Sequence, residues 1–176
     1  NRRGHFTYIS LRSVLGRRQV MKIVQINATC GKGSTGKICV SISELLTQKG
    51  VENYILYSQG KSDYSVGIKY QKNGYTKFQA LFSRLLGNYG FNARRSTKRL
   101  IKEINRIKPD IVHLHNLHAH NCNLNILFNY LKRIKLKIFW TFHDCWAFTA
   151  YCPYFDMSEC NKWETGCENC IQKKQF

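Results

Sequence analysis

The sequence predicts an α/β fold, a parallel sheet with helices on both faces, followed by a cysteine-rich tail. Three observations carry that expectation. Met21 to Asn27 is a short, mostly apolar run rich in β-branched residues, long enough for one buried strand. Two later runs of the same character, Asp110 to Asn116 and Lys137 to Phe142, are separated by stretches with helical spacing. Strands alternating with helices of this length imply parallel pairing through crossover connections. Finally, Cys152, Cys160, Cys167 and Cys170 crowd the last part of the chain, which has few aliphatic residues.

The first strand is followed at once by Gly31-Lys-Gly33-Ser34-Thr35-Gly36. From Lys37, Ile38, Ile42, Leu45 and Leu46 recur at helical spacing and form the expected inward face, and Gly50 stops the helix. The glycine loop therefore joins a strand's carboxyl end to a helix amino end. Free backbone N–H groups and the helix dipole there favour an anion, by about 0.3–1 kcal/mol when exposed. Glu52 to Ser58 reads as the second strand and Val66 to Tyr70 as a shorter third. Lys77 to Leu86 is expected to be helical, ending at Gly87-Asn-Tyr-Gly90. Ser96 or Thr97 is the expected cap of a strongly basic helix, with Leu100, Ile101, Ile104 and Ile107 inward and Pro109 as its stop. Its outer face carries Arg94, Arg95, Lys98, Arg99, Lys102 and Arg106. Asn123 to Ile134 is a helix with Leu124, Leu127, Phe128 and Leu131 inward.

At 176 residues the chain can bury one sizeable core, and no apolar run approaches the length of a membrane span. The net charge of +18 is uneven: no acid precedes Glu44, and half of the ten acids lie from Asp144 onward. Such a front suits a polyanion or an anionic membrane surface, or is a solvated basic face. Residues 1–20 carry five arginines and no acid, and read as a poorly ordered or surface-docked extension. Residues 21–148 form the folded body and 149–176 the cysteine-rich segment. A chain this long does not need disulfide staples, so a reducing, cytoplasmic setting is expected.

In an open parallel sheet, ligands bind beyond the carboxyl ends of the strands. Three such ends carry chemistry here: the glycine loop, the stretch His113-Leu-His115-Asn116-Leu-His118-Ala-His120, and His143-Asp144. The loop matches G-x-G-x-x-G, but the end of the second strand, Leu56-Tyr57-Ser58-Gln59, lacks the acid that would hold a ribose. It misses a Walker A loop because Ile38 follows Lys37 where Ser or Thr should bind magnesium. A looser phosphate or sugar-phosphate cradle, or a merely structural tight turn, fits better. His113, His115, His118 and His120 are open to a core, loop or zinc reading. His143 is the stronger candidate, because the adjacent Asp144 carboxylate can orient an imidazole; Asp144 can equally cap a turn. The Cys-x-x-Cys pair with Cys152 and Cys160 fits a structural four-thiolate zinc, with disulfides or free thiols as alternatives.

These residues resemble the amino-terminal half of a GT-B glycosyltransferase of family 4, of the bacterial type that builds capsular polysaccharide, exopolysaccharide or O-antigen. The carriers are Met21 to Asn27 with the glycine loop, Lys108-Pro-Asp-Ile-Val-His-Leu-His-Asn116, and Trp140-Thr-Phe-His-Asp-Cys-Trp-Ala-Phe-Thr149. To these add Cys152, Tyr154-Phe-Asp156, Cys160, Trp163, Gly166-Cys167 and Cys170. The resemblance implies a Rossmann-like domain that holds a sugar acceptor, often lipid-linked, at the inner face of the membrane. It implies retaining transfer from a nucleotide sugar. It sets Gly31, Gly33, Ser34, Thr35 and Gly36 near the donor phosphates, and His143 with Asp144 near the reacting sugar. His115, Asn116 and His118 are candidates for the acceptor cleft. The carboxyl-terminal nucleotide-sugar domain of such enzymes has no counterpart here, so the chain is expected to be inactive alone and to need that domain as a partner. The competing reading is a zinc-stabilised basic module that binds nucleic acid. The basic helix lacks interleaved aromatics, so nucleic acid is not the expected partner.

Overall fold

The computed structural model describes residues 20–72, 74, 92–118, 121–149 and 152–166. The expected helix at Lys77 to Leu86, nearly all of the basic extension, His120, Cys167 and Cys170 lie outside them.

The described residues form a five-stranded sheet in the order β3-β2-β1-β4-β5. The strands are β1 (Lys22–Asn27), β2 (Glu52–Tyr57), β3 (Gly67–Lys69), β4 (Ile111–Leu114) and β5 (Lys137–Trp140). Every pairing is parallel, and Gln25 of β1 lies in register with Ile55 of β2 and His113 of β4. The helices are α1 (Gly33–Gln48), α2 (Arg94–Ile107), α3 (Leu124–Ile134) and two single turns, α4 (Trp146–Thr149) and α5 (Lys162–Thr165). The Rossmann-like α/β expectation holds. Strand order reverses between β1 and β4, the place in such a sheet where a crevice opens.

Side chains alternate across each strand, and this sorts the core. On one face Val24, Ile26, Leu56, Val112 and Leu114 pack with Leu100, Ile104 and Ile107 of α2 and Leu127 and Leu131 of α3. On the other, Ile55 and Tyr57 pack with Cys39 of α1. Toward their carboxyl ends, the residues of β1 and β4 that face the α1 side are polar: Gln25, Asn27 and His113, with His115 just beyond the strand. Among the described residues no helix covers that side of β4 and β5. Phe139 in register with His113 is accordingly exposed, as is Phe142.

Two sequence expectations are corrected. The inward face of α1 is made by Gly36, Cys39 and Ser43, not by Ile38 and Leu45, which are exposed. Small residues let this helix lie close to the sheet, and Ser43 and Thr47 there bond Asn53 of β2. Helix α2 starts earlier than expected. Ala93 is its amino-terminal flank, in a left-handed conformation, while Ser96 and Thr97 are buried in the first turn. The Thr97 hydroxyl donates to the Ala93 carbonyl and accepts from the Asn123 backbone N–H, so it ties α2 to the start of α3 instead of capping. The outer cations of α2 are exposed, and Arg106 pairs with Glu103 at 2.8 Å.

Candidate functional site

The carboxyl ends of β1, β2, β4 and β5 lie along one rim. Hydrogen bonds knit the loops that leave them. Ser58 and Gln59, after β2, donate their backbone N–H groups to the Ala28 carbonyl after β1. Their side chains donate to Asn121 Oδ1, and Asn121 Nδ2 donates to the Asn116 carbonyl after β4.

Asn27, fully buried at the end of β1, joins two candidate segments. Its Nδ2 donates to the Thr29 carbonyl at 2.9 Å and to Thr35 Oγ1 at 3.3 Å, and its Oδ1 accepts the Asn116 N–H at 3.3 Å. The glycine loop and the stretch after β4 therefore share one buried amide. Within the loop, Gly31 and Gly33 have φ of 71° and 67°, a region costly to residues with a Cβ. Helix α1 has no side-chain cap and no acid in its first turn, which leaves its amino end suited to an anion.

Gly36 is required for a different reason. A Cβ there would stand 2.6 Å from Thr29 Oγ1, the hydroxyl that donates to the Lys32 carbonyl and pins the loop. Gly36→Ala is expected to cost about 1–3 kcal/mol, as overpacking does. Gly33→Ala, with no neighbour near its Cβ, should cost only the backbone strain of about 1–2 kcal/mol. Urea unfolding measures both; equal stability of the Gly36→Ala and parent chains would show that the loop is not pinned this way.

Beside the loop, a small open cleft is walled by His115, Asn116 and His118 from the β4 side and by Trp140, Thr141, His143, Asp144 and Trp146 from the β5 side. The glycine loop does not line this cleft; it stands next to it along the rim. His115 is buried and its Nδ1 lies 2.9 Å from His143 Nε2, with the two rings nearly parallel. The His113 ring lies tilted against His115, with centroids 4.1 Å apart, and meets Thr141 Oγ1 at 2.8 Å. Burial, reinforced by its two imidazole neighbours, pushes His115 down to about 3. Burial also lowers His113 and His143, although Asp144 pulls His143 partly back. All three rings are thus neutral at pH 7.

Asp144 does not orient His143. Its Oδ2 meets His118 Nε2 at 2.7 Å and its Oδ1 accepts the Trp146 N–H at 3.0 Å. Adjacent residues diverge at the strand end, so the carboxylate both caps α4 and holds the imidazole across the cleft. His143, His115, Asn116, His118 and Asp144 come together as the sequence suggested, with His115 in the orienting place expected of Asp144. Gln25, Asn27, Thr141 and Asn121 were missed. For the first two the signal was present: amides inside an apolar central strand must find buried partners.

Cys152 and Cys160 are half-buried. Among the described residues no group of three or more histidine, cysteine or acidic side chains is arranged to hold a metal. The described part of the tail is held to the body by the Cys145 N–H to Pro153 carbonyl bond and by rings. Phe148, Phe155 and Trp163 meet with centroids 5.1–6.1 Å apart. No helix among the described residues is long and apolar enough to cross a membrane.

The family model for Glycosyltransferase Family 4 matches residues 35–169. The chain is also similar to the Escherichia coli (strain K12) protein named "Putative colanic acid biosynthesis glycosyl transferase WcaC", with 26% identity over 168 residues. That alignment covers 85% of this chain and 39% of the relative, so the chain spans about two fifths of that protein's length.

Proposed function

Because the chain belongs to glycosyltransferase family 4, we propose that it forms the acceptor-side part of a glycosyltransferase of cell-surface polysaccharide synthesis. The reaction is retaining transfer of a sugar from a nucleotide sugar to a hydroxyl of a lipid-linked saccharide. One observation carries this reading most directly: a neutral, hydrogen-bonded histidine pair opens on a cleft that adjoins an uncapped helix amino end. Such an end steadies a leaving diphosphate through N–H groups and dipole. A neutral imidazole accepts a hydrogen bond from a sugar hydroxyl as charge develops.

In this reading the nucleotide is gripped mainly by residues outside this chain. The exposed cations of α2 rest on the anionic inner membrane face, each contributing about 1 kcal/mol when well placed. Cys152, Cys160, Cys167 and Cys170 hold a structural zinc, assigned on Cys-x-x-Cys spacing; four thiolates leave it no open catalytic position.

A single preparation tests these points. Purified residues 1–176 should bind a lipid-diphosphate-linked saccharide in micelles, transfer no sugar from nucleotide sugars, and contain about one zinc per chain. Turnover would overturn the division of labour, lack of binding would overturn the acceptor-side assignment, and a metal-free folded chain would remove the zinc.

A further inference from the structure

Gln25 is fully buried in the middle of β1 and touches both α1 and His115. Its Nε2 lies 3.0 Å from the Cys39 carbonyl oxygen, and its Oε1 lies 3.1 Å from His115 Nε2. A carbonyl oxygen only accepts, so the amide nitrogen must face Cys39. The amide oxygen then faces His115, and it too only accepts. His115 Nε2 must therefore carry the hydrogen.

A neutral imidazole has one N–H, so His115 Nδ1 is bare. It can only accept from His143 Nε2, 2.9 Å away. His143 Nε2 is thus the protonated nitrogen, and in the neutral ring Nδ1 keeps the lone pair. Among the described residues no side chain or backbone group donates to that nitrogen, and His143 is part of the cleft wall.

We propose that Gln25 is a positioning residue: acting through His115, it fixes the tautomer of His143 so that Nδ1 stands as a hydrogen-bond acceptor for a ligand hydroxyl in the cleft. The neutrality of both rings follows from their burial. The consequence for sugar binding rests on the transferase reading above, but the tautomer assignment does not. An acceptor nitrogen selects a hydroxyl donor and disfavours a bare ether or carbonyl oxygen at the same point.

Long-range proton–nitrogen NMR of the histidine-labelled chain at pH 7.5 reads each ring's tautomer without any substrate. Signals are assigned by His113→Asn and His143→Asn. In the parent chain both His115 and His143 are expected as the Nε2–H form. Gln25→Leu, or Gln25→Met if the first does not fold, removes the acceptor for His115. The His143 Nδ1 signal should then move from its unprotonated position toward the protonated one. A parent chain with His143 as the Nδ1–H form or as imidazolium overturns the proposal, and so does a folded Gln25 variant with unchanged tautomers. If neither variant folds, the parent spectrum alone decides between the two forms. Because no sugar is present, failure here and failure of the transferase reading are separate results.

Discussion

Lowering the pH from 7 to 4 is expected to cost this chain about 3 kcal/mol of stability through His115 alone. The ring is 1% exposed and its pKa falls to about 3, whereas an unfolded histidine titrates near 6.5. Below about 6.5 the unfolded chain therefore takes up a proton that the folded chain refuses. Stability is fully present above that pH and is lost as pH falls toward 3, at up to about 1.4 kcal/mol per unit. His113 and His143 are shifted the same way and steepen the loss. Urea unfolding at several pH values reads the slope. The interval from 6.5 to 5 matters most, because carboxylates are still ionised there. His115→Gln, which can still accept from His143, should flatten it; constant stability of the parent from pH 7 to 5 would refute the burial of a neutral ring.

Removing the side chain of Asn27 is expected to cost about 3 kcal/mol and to loosen two loops at once. Asn27→Ala leaves the Thr29 carbonyl, the Thr35 hydroxyl and the Asn116 N–H without this partner in a part-buried site. Each buried polar group left without a partner costs about 1–3 kcal/mol, and some of these will find water as the loops relax. Hydrogen exchange should quicken at the amides of residues 31–36 and of Asn116, while those of β2 keep their protection. A loss below about 0.5 kcal/mol, or exchange confined to one loop, would mean that the two segments are held independently. Asn27→Asp keeps the acceptor but loses the donors, and is expected to fall between.

Much of the architecture was legible because it rests on periodicity. The runs at Lys22, Glu52, Ile111 and Lys137 became parallel strands, and Leu100, Ile104, Ile107, Leu127 and Leu131 were buried as their spacing implied. Helix α1 was misread for a physical reason. Hydrophobicity marks what prefers to leave water, but the buried side of α1 is made by Gly36, where a Cβ would meet Thr29 Oγ1, and by the small Cys39 and Ser43. Ser96 and Thr97 looked like caps because their hydroxyls suit that role; tertiary contact with Asn123 claimed Thr97 first.

The candidate site was legible as a place and not as a set of bonds. Parallel strands bring their carboxyl ends together whatever the loops do, so His115 and His143 were bound to meet near the rim. Which group orients which depends on directions that sequence neighbours do not share. Asp144 precedes Cys145 in the chain yet reaches back 26 residues to His118, and His143 turns to His115. Gln25 was passed over because a lone amide in an apolar run reveals its partner only once β1 and β4 are set in register.

The bare side of β5 has a practical corollary. Among the described residues this strand ends the sheet, with Phe139 59% and Phe142 56% exposed beside an open row of backbone donors and acceptors. Such a border recruits another strand when molecules collide. Dilution then becomes a variable of every measurement on these residues: self-association would damp the acid response and slow exchange in ways that mimic stability, and a concentration series tells the two apart.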